Sequence, residues 1–344
     1  MGADRLTAAL MSFAAQSRAF ARLVELLERL DGGRDDLLPV LTYHRVAHPD
    51  DPSGRYPGLV SATPAAFATQ MRHLAGARRA LSLGELLEVR AGRARLPRRA
   101  VMVTFDDAYR DFGKHAWPVL ESLGAPVTLF VPTAYPDHPE RRFWWDRLYR
   151  ALTAASATVI ETPLGALPLG GEGERRHALR RLRDHLKALP HAQAMAIVDD
   201  LTGDLQPPPE PDVLGWDELR DLAARGVALA AHARSHALLD RIPVAEARDE
   251  LAGSLADLRR EIGAAPPVFA YPGGAHDPAV IDMLRAEGVL IAFTTERGTN
   301  ELRRAEWLRL RRINVGGRST LPAIRAQLLP LARHLAPPGR RAGG

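Results

Sequence analysis

Two short stretches of the sequence carry side chains that could bind a catalytic metal ion. In the first, an apolar, β-branched run ends in the adjacent carboxylates Asp106 and Asp107. This predicts a buried strand followed by a turn that brings both acids into one cleft. In the second, His232 and His236 follow the apolar run 226–231, and their spacing places both imidazoles on one side of a helical turn. One Asp with two His is a common ligand set for a catalytic divalent metal.

Each pair has a plainer explanation when it is taken alone. The two acids could form a solvated turn or a helix cap after a buried strand, and the two histidines could be a cap and a surface residue. Placing two ionised carboxylates side by side in a buried site costs free energy, however, unless a cation compensates their charge or one of them is protonated. The presence of both pairs in one chain therefore favours a metal site, with one acid as a ligand and the other free to act as a base.

The composition is that of a globular protein. Hydrophobic residues make up 46% and charged residues 25% of the 344 positions, enough for one large α/β core with an insertion. The chain has no cysteine, so a metal must rest on histidine and carboxylate ligands. The net charge of +5 is modest and forms no basic stripe interleaved with aromatic residues, so we do not expect nucleic-acid binding.

The N-terminal region raises the question of a membrane. No window of the sequence is long and apolar enough for a transmembrane segment. Residues 8–15 resemble a short signal core, but Asp4 precedes them and Arg18 and Arg22 follow them. We therefore predict an amphipathic helix and not a signal peptide. The expected location is cytoplasmic or peripheral to the membrane, and that helix is the element that could contact a membrane surface.

Alternating strand and helix patterns predict a parallel α/β fold. We expect seven strands, near residues 39–46, 99–105, 126–131, 227–232, 267–271, 289–294 and 308–315. Helices are expected between them, among others over residues 114–123 and 243–262, and a last one near 320–335. A closed or nearly closed barrel suits that number better than an open sheet. The acids and the histidines follow the carboxyl ends of strands, which is where parallel sheets and barrels bind ligands.

The alternation is interrupted once, which indicates an insertion. An Arg-rich helix within it is expected to turn one charged face to solvent. We divide the chain into an N-terminal amphipathic helix (1–36), the first part of the barrel (37–133), an inserted mainly helical subdomain (134–212), the second part of the barrel (213–318), and a C-terminal helix with a loose tail (319–344).

These motifs together resemble a known family. The stretch 104–107 (Thr-Phe-Asp-Asp), the later His-x-x-x-His pair and the turn 271–274 (Tyr-Pro-Gly-Gly) resemble the NodB-homology polysaccharide deacetylases, carbohydrate esterase family 4. Tyr43-His44 in the first strand and the Tyr-Pro-x-Gly turn are similar to a divergent branch of that family. The resemblance covers about residues 38–315. It implies a distorted (β/α)7 barrel of the glycoside hydrolase/deacetylase type.

The resemblance also implies an activity and roles for individual residues. Family members remove the acetyl group from N-acetylated sugars with a divalent metal, most often zinc, so the expected partner is an N-acetylated glycan or glycan precursor. Carried over by motif, Asp106 is the general base, and the metal ligands are Asp107, His232 and His236. Tyr271, Pro272 and Gly273 line the substrate groove. His44 is the expected general acid, with His276 as the alternative.

Several positions differ from the family pattern. Ala108 follows the acid pair where Gly is frequent, and Ala233 replaces a Ser or Thr whose hydroxyl braces the metal loop. Ala270 occupies the position of an Arg that orients the base in many members, so Asp106 lacks that partner. Neither an Asp-x-x-Asp-Trp segment nor the late Leu-x-His that supplies the general acid is present.

Other interpretations of the same residues remain open. Tyr109 and Arg110 could line the site or be structural, and Trp144 and Trp145 could seat the insertion or stack on sugar rings. At the level of function, the missing motifs are compatible with a catalytically degenerate, sugar-binding barrel. A third interpretation is an amide or imide hydrolase that acts on a non-sugar substrate.

Overall fold

The barrel strands are the framework of the molecule. The computed structural model describes residues 17–48, 51, 54–138, 140–203 and 211–330, and within them seven parallel strands close into a barrel. These are β1 (Val40–Tyr43), β2 (Ala100–Phe105), β3 (Thr128–Val131), β4 (Ala228–Ala231), β5 (Val268–Ala270), β6 (Ile291–Arg297) and β7 (Leu310–Asn314). Neighbours follow chain order, and β7 pairs with β1 to complete the ring. The predicted α/β barrel is therefore confirmed.

Helices surround the barrel and connect its strands. In the described part of the chain they are α1 (Arg18–Leu30), α2 (Pro64–Ala77), α3 (Leu83–Arg90), α4 (Trp117–Ser122), α5 (Trp144–Ala154), α6 (Glu172–Ala188), α7 (His191–Thr202), α8 (Trp216–Ala224), α9 (Val244–Ile262), α10 (Pro278–Ala286) and α11 (Leu321–Gln327). None of these helices has the length and apolar character needed to span a bilayer.

Short side chains at the helix N-termini explain where several of these helices begin. Each accepts a hydrogen bond from the backbone N–H three residues later and so satisfies a donor that the helix itself leaves unpaired. These capping residues are Ser17, Thr63, Ser82, Asp277 and Thr320.

Both faces of the barrel strands are covered, which explains their apolar sequences. Every residue of β2 and of β3 is buried. Side chains alternate between two clusters: Val103 and Phe105 pack with helix residues such as Phe67, whereas Met102 packs with Phe130 of β3. Since successive strand residues point to opposite faces, the second cluster fills the barrel interior. The strand end at Phe105 places the following residues at the rim.

One predicted helix is divided in the structure. The sequence predicted a helix over residues 114–123, but Phe112–Ala116 form a π-helical turn and α4 covers only Trp117–Ser122. Pro118 has no N–H, so a continuous α-helix would lack a hydrogen bond at this point. At the chain ends, α1 is described from Arg18, and the earlier part of the predicted helix lies outside the described residues. The predicted C-terminal helix near 320–335 is observed as α11, and residues from 331 onward lie outside the described part.

A helical segment, which we define as residues 144–202, lies between β3 and β4. It comprises α5, α6, α7 and a small antiparallel pair formed by Val159–Ile160 and Leu167–Pro168. The segment has its own hydrophobic cluster, to which Leu148, Leu182 and Val198 contribute. It falls within the stretch 134–212 that the sequence predicted to be an insertion, and its first helix reaches the rim of the barrel.

Candidate metal centre

Asp107, His232 and His236 converge after the ends of β2 and β4. One potential ligand atom from each lies within 4.8 Å of the other two, and all three side chains are buried. Asp107 Oδ1 is 3.4 Å from Nε2 of His232 and 3.2 Å from Nε2 of His236. One carboxylate oxygen and two imidazole nitrogens are donors that zinc prefers. The three residues that the resemblance implied as ligands are thus brought together.

The hydrogen bond of His232 Nδ1 indicates that a cation fits between His232 Nε2 and Asp107 Oδ1. Its Nδ1 lies 2.8 Å from the carbonyl oxygen of Ala270, which can only accept, so this nitrogen donates. In the neutral ring Nε2 then presents a lone pair towards Asp107 Oδ1. That oxygen is buried and has no hydrogen-bond partner among the described residues. A cation between the two acceptors satisfies both, so the residues present fit a divalent metal.

Left-handed backbone conformations direct these side chains into one place. Among the described residues, Asp107 (φ 72°), Ala108 (φ 50°), Ala233 (φ 60°) and His236 (φ 60°) adopt this conformation, which residues other than glycine rarely do. Such strain, on the order of 1 kcal/mol per residue, collects at functional sites. It breaks the strand alternation after Phe105, so the two neighbouring acids reach the same cleft. Two of the three alanines at positions that differ from the family pattern, Ala108 and Ala233, are therefore strained.

Glu250 of α9 holds the histidine loop. Its Oε2 accepts hydrogen bonds from the backbone N–H groups of Arg234 and Ser235, both at 2.8 Å, and its Oε1 accepts from the Ser235 hydroxyl at 2.7 Å. The sequence suggested that Ala233 removes a bracing hydroxyl. In the structure, Ser235 supplies a hydroxyl from elsewhere in the same loop.

Asp106 is held by an arginine that sequence reasoning missed. The guanidinium of Arg312 in β7 makes two parallel hydrogen bonds to its carboxylate, of 2.8 and 2.7 Å, and a third to the carbonyl oxygen of Thr294 at 2.8 Å. Arg312 is completely buried. The sequence predicted no arginine for Asp106 because position 270 is Ala. A signal was available, since Arg312 lies two positions after the apolar Leu310 and therefore shares its strand face.

Burial and neighbouring groups shift the pKa values of Asp106 and Asp107 in opposite directions. Burial alone would raise the pKa of Asp106, but the adjacent Arg312 guanidinium outweighs it and the pKa lies below its usual value. Burial would also raise the pKa of Asp107, but His232 and His236 hold it well below its usual range. Both acids are therefore ionised at neutral pH. Burial lowers the pKa of His236, which favours the neutral ring that a metal needs. The Asp107 and Asp106 carboxylates outweigh burial at the other ligand and raise the pKa of His232, so metal binding must displace a proton from His232.

The two histidines that could act as the general acid, His44 and His276, lie in different surroundings. His44 follows β1, and its Nε2 is 3.9 Å from Asp106 Oδ2. Its side chain is 24% exposed. His276 donates from Nδ1 to the carbonyl oxygen of Gly274 at 2.8 Å. Its Nε2 lies 3.6 Å from Glu296 Oε1. Of the two histidines, His44 is therefore the one that lies beside the acid pair.

The turn 271–274 has a backbone that requires glycine. Gly273 has φ 60°, and a Cβ there would lie 2.9 Å from Leu238, two residues beyond His236. Pro272 is buried, and the buried Tyr271 donates its hydroxyl to the carbonyl oxygen of Leu308 at 2.9 Å. The ring of Tyr271 lies against that of His276, with centroids 5.1 Å apart. The turn therefore packs against the loop that carries His236.

Tyr109 and Arg110 make contacts that tie the acid-pair loop to its neighbours. The buried Tyr109 donates its hydroxyl to Asp146 Oδ2 at 2.8 Å and accepts from Trp145 Nε1 at 2.9 Å. Arg110 forms an ion pair with Glu218 at 2.8 Å. Trp145 in turn lies edge-on to His236, with ring centroids 5.0 Å apart. The first helix of the helical segment thus contacts a candidate ligand directly.

The sequence of the chain matches one family model. This model is described as polysaccharide deacetylase, and the match spans residues 93–292. No curated protein matches the chain.

Several solved structures with a similar fold are deacetylases. The Streptococcus pyogenes deacetylase PplD, solved in complex with acetate, is 17% identical with a TM-score of 0.58, and the match covers 86% of this chain and 100% of that one. IcaB from Ammonifex degensii is 22% identical with a TM-score of 0.56, covering 86% and 97%. The polysaccharide deacetylase BC0361 from Bacillus cereus is 17% identical with a TM-score of 0.56, covering 85% and 69%. At these identities, the likeness concerns the fold.

Proposed function

The chain belongs to the polysaccharide deacetylase family, and on that premise we propose that it is a metal-dependent enzyme that hydrolyses the acetamide of an N-acetylated glycan. Membership makes it a hydrolase of carbon–nitrogen bonds other than peptide bonds. The observation that carries the proposal is the convergence of Asp107, His232 and His236 beside a second, ionised acid, Asp106.

In this proposal, Asp107, His232 and His236 hold the metal, and their donor set favours zinc. When bound, a divalent metal supplies a Lewis acid that polarises the acetamide carbonyl and makes water more acidic. The Ala270 carbonyl fixes the His232 tautomer, and Glu250 fixes the loop between the two histidines. These contacts hold the ligand atoms in position in the metal-free chain, which raises the affinity of the site for the metal.

Asp106 is the proposed general base. It must be ionised to accept a proton from the attacking water, and Arg312 keeps it so while fixing the plane of the carboxylate. An orienting arginine supports catalysis over the interpretation as a degenerate sugar-binding barrel, because the absence of such an arginine was one reason for that interpretation. No observation in the described residues favours a non-sugar imide as the substrate.

His44 is the proposed general acid, which donates a proton to the leaving amine. An imidazole is suited to this step near neutral pH, and its partial exposure leaves it open to substrate. If this assignment is correct, His44→Ala lowers kcat by about 100-fold, whereas His276→Ala leaves kcat near the wild-type value. The reverse result assigns the role to His276.

The direct test is acetate release from N-acetylglucosamine oligomers by the zinc-loaded chain, with Asp106→Asn as the inactive comparison. The proposal predicts acetate from the wild type and at least a roughly 100-fold slower release by the variant. Zinc binding by Asp106→Asn is expected to persist, since Asp106 is not a ligand. A wild-type chain that binds zinc but releases no acetate from any N-acetylated oligosaccharide contradicts the proposal.

A further inference from the structure

Helix α1 exposes a row of leucines on its outer face. Leu23, Leu26 and Leu30 are 53%, 53% and 72% exposed, and their spacing places them on one face of the helix. They are three of the six large hydrophobic residues that are exposed in the described part of the chain. Val24, on the opposite face, is buried. A contiguous row of exposed apolar side chains indicates an interaction surface, which we call the leucine row.

The charges of α1 are arranged so that cations border the leucine row. Arg18, Arg22 and Arg29 lie along one edge of it and are exposed. Arg29 pairs with Glu25 at 2.5 Å, whereas Arg18 and Arg22 form no ion pair with any described residue. The other acid of the helix, Glu28, lies on the opposite side, where it is 12% exposed and forms an ion pair of 2.6 Å with α11. The outer face of α1 is therefore apolar and positively charged.

The C-terminal sequence adds further positive charge to this part of the molecule. Helix α11 packs against α1, and the described chain ends shortly after it, at Pro330. The residues that follow, 331–344, contain Arg333, Arg340 and Arg341 and no acidic residue. Because this stretch is joined to α11, its positive charge is tethered within reach of the surface that α1 exposes.

We propose that α1 docks the protein onto an anionic lipid bilayer, with the leucine row among the acyl chains and the bordering arginines at the phosphate groups. An apolar face bordered by basic residues is typical of helices that lie in the membrane interface, and anionic headgroups attract basic residues. A second copy of the chain fits less well. A stable dimer needs about 20–30 residues on each side, whereas the row offers three leucines beside cations that repel those of another copy.

Helix α1 lies away from the metal centre. Arg99, which directly precedes β2, donates to the carbonyl oxygen of Glu28 at 3.2 Å, so the end of α1 lies where β2 begins. Asp106 and Asp107 follow the opposite end of the same strand. Substitutions in the leucine row should therefore leave acetate release from a soluble oligosaccharide unchanged, and a failure of docking can be told apart from a failure of the proposed function.

The experiment is sedimentation of the full chain with vesicles of phosphatidylcholine, either alone or with about 30% phosphatidylglycerol. The wild type should bind the anionic vesicles at least about tenfold more tightly than the neutral ones. Added salt should weaken this binding, because it screens the arginines. Leu23→Ser with Leu26→Ser should weaken it by at least about tenfold, and Arg18→Glu with Arg22→Glu should abolish the preference for anionic vesicles.

Two controls match these variants. Leu290→Ser changes a leucine that is 44% exposed outside α1. Arg180→Glu with Arg181→Glu changes the net charge as much as the α1 arginine pair does, at exposed positions of α6. Both controls should bind vesicles like the wild type.

Three results overturn the docking proposal. The first is a wild type that does not bind anionic vesicles. The second is a set of folded α1 variants that bind vesicles as tightly as the controls. The third is a dimer, detected by light scattering, that Leu23→Ser with Leu26→Ser converts to a monomer while no form of the protein binds vesicles, because this result assigns the leucine row to a second copy.

Discussion

Arg312 and Asp106 form a buried ion pair between residues 206 positions apart in the sequence. Removing two charges from water costs several kcal/mol, and only good geometry with further hydrogen bonds offsets this cost. Here the guanidinium makes a parallel pair of bonds to the carboxylate and another to a carbonyl. The pair is therefore well satisfied, and its effect on Asp106 is to hold one orientation and one charge state.

We predict that Arg312→Met raises the pKa of Asp106, because burial then acts without the opposing guanidinium. A base with a higher pKa is protonated up to a higher pH, so the acidic limb of the kcat/KM profile moves to higher pH. Loss of orientation should also lower kcat by about 100-fold. The measurement is the pH profile of acetate release by wild type and variant.

Two further variants separate this effect from general damage. Arg312→Lys keeps the charge but not the planar pair of hydrogen bonds, so an intermediate rate is expected. Arg312→Met leaves a buried charge unpaired and should cost on the order of 3 kcal/mol of stability; adding Asp106→Asn should recover much of that cost without restoring activity. An unchanged acidic limb in Arg312→Met contradicts the role given to this residue.

At the residue scale, the groups that can be identified from the sequence are those that occur in compact motifs. Asp106 and Asp107 are adjacent, and His232 and His236 are four positions apart, so their types and spacing by themselves indicate metal chemistry. The histidine spacing predicted a helical turn, whereas in the structure a loop after β4 brings the two rings together. Arg312 belongs to no such motif. It reaches Asp106 only because the barrel closes, which places β7, the strand of Arg312, one strand away from β2, which Asp106 follows. The catalytic and ligand roles of these residues stay predictions until activity and metal binding are measured.

At the scale of elements, the histidine loop depends on α9. Glu250 accepts hydrogen bonds from two backbone N–H groups and one hydroxyl of the loop, and Asp257 of the same helix binds Arg234 at 3.0 Å and Thr133 at 2.8 Å. The positive φ values at Ala233 and His236 persist because these contacts hold the loop.

Glu250→Ala should weaken zinc binding by about 10- to 100-fold, because the ligand loop loses three hydrogen bonds that hold it in position. A competitive zinc titration of the folded variant measures this effect. Glu246→Ala is the matched control, since Glu246 lies one turn earlier on α9 and is exposed; it should bind zinc like the wild type. Equal zinc affinity in both variants would show that α9 does not support the site.

The strands and helices of the barrel were predictable because the hydrophobic pattern of each reflects which of its faces are buried. β2 (Ala100–Phe105) was expected over 99–105, and α9 (Val244–Ile262) over 243–262. Strands buried on both faces give continuous apolar runs, and amphipathic helices give a different period. The π-helical turn Phe112–Ala116 was not predicted, because it results from a single missing N–H at Pro118. The division of the chain at residues 134 and 212 stays a prediction.

At the scale of the whole molecule, Asp146 joins the helical segment to the barrel. Its Oδ1 accepts the backbone N–H of Tyr56 at 2.6 Å, and its Oδ2 accepts the Tyr109 hydroxyl at 2.8 Å. Burial, with a further contribution from Asp212, raises the pKa of Asp146 to about 7. The carboxyl group is therefore protonated in the folded chain at pH values where it is ionised in the unfolded chain.

This difference predicts a pH dependence of stability. The ordinary pKa of an aspartate carboxyl group is 3.8, so between about pH 4 and pH 7 the folded chain keeps a proton that the unfolded chain releases. The contribution of Asp146 to stability is thus present at low pH and is lost as pH rises through the folded pKa. Relative to Asp146→Asn, the wild type should lose on the order of 2–4 kcal/mol of unfolding free energy between about pH 5 and pH 8.

Urea unfolding of the metal-free wild type and of Asp146→Asn at the same two pH values tests this expectation. Comparing the two proteins removes contributions from the other titrating groups, which both share. The stability of the wild type relative to the variant should be lower at the higher pH than at the lower pH. A stability difference that is the same at both pH values contradicts the raised pKa of Asp146.

The most direct test of the proposed function is a titration of zinc into chelator-stripped protein, followed by acetate release from an N-acetylglucosamine oligomer. We predict no acetate without metal, a rate that rises in proportion to added zinc, and a plateau at one zinc per chain. Acetate release that is independent of added divalent metal, or its absence at every metal ratio, contradicts a metal-dependent deacetylase built on Asp107, His232 and His236.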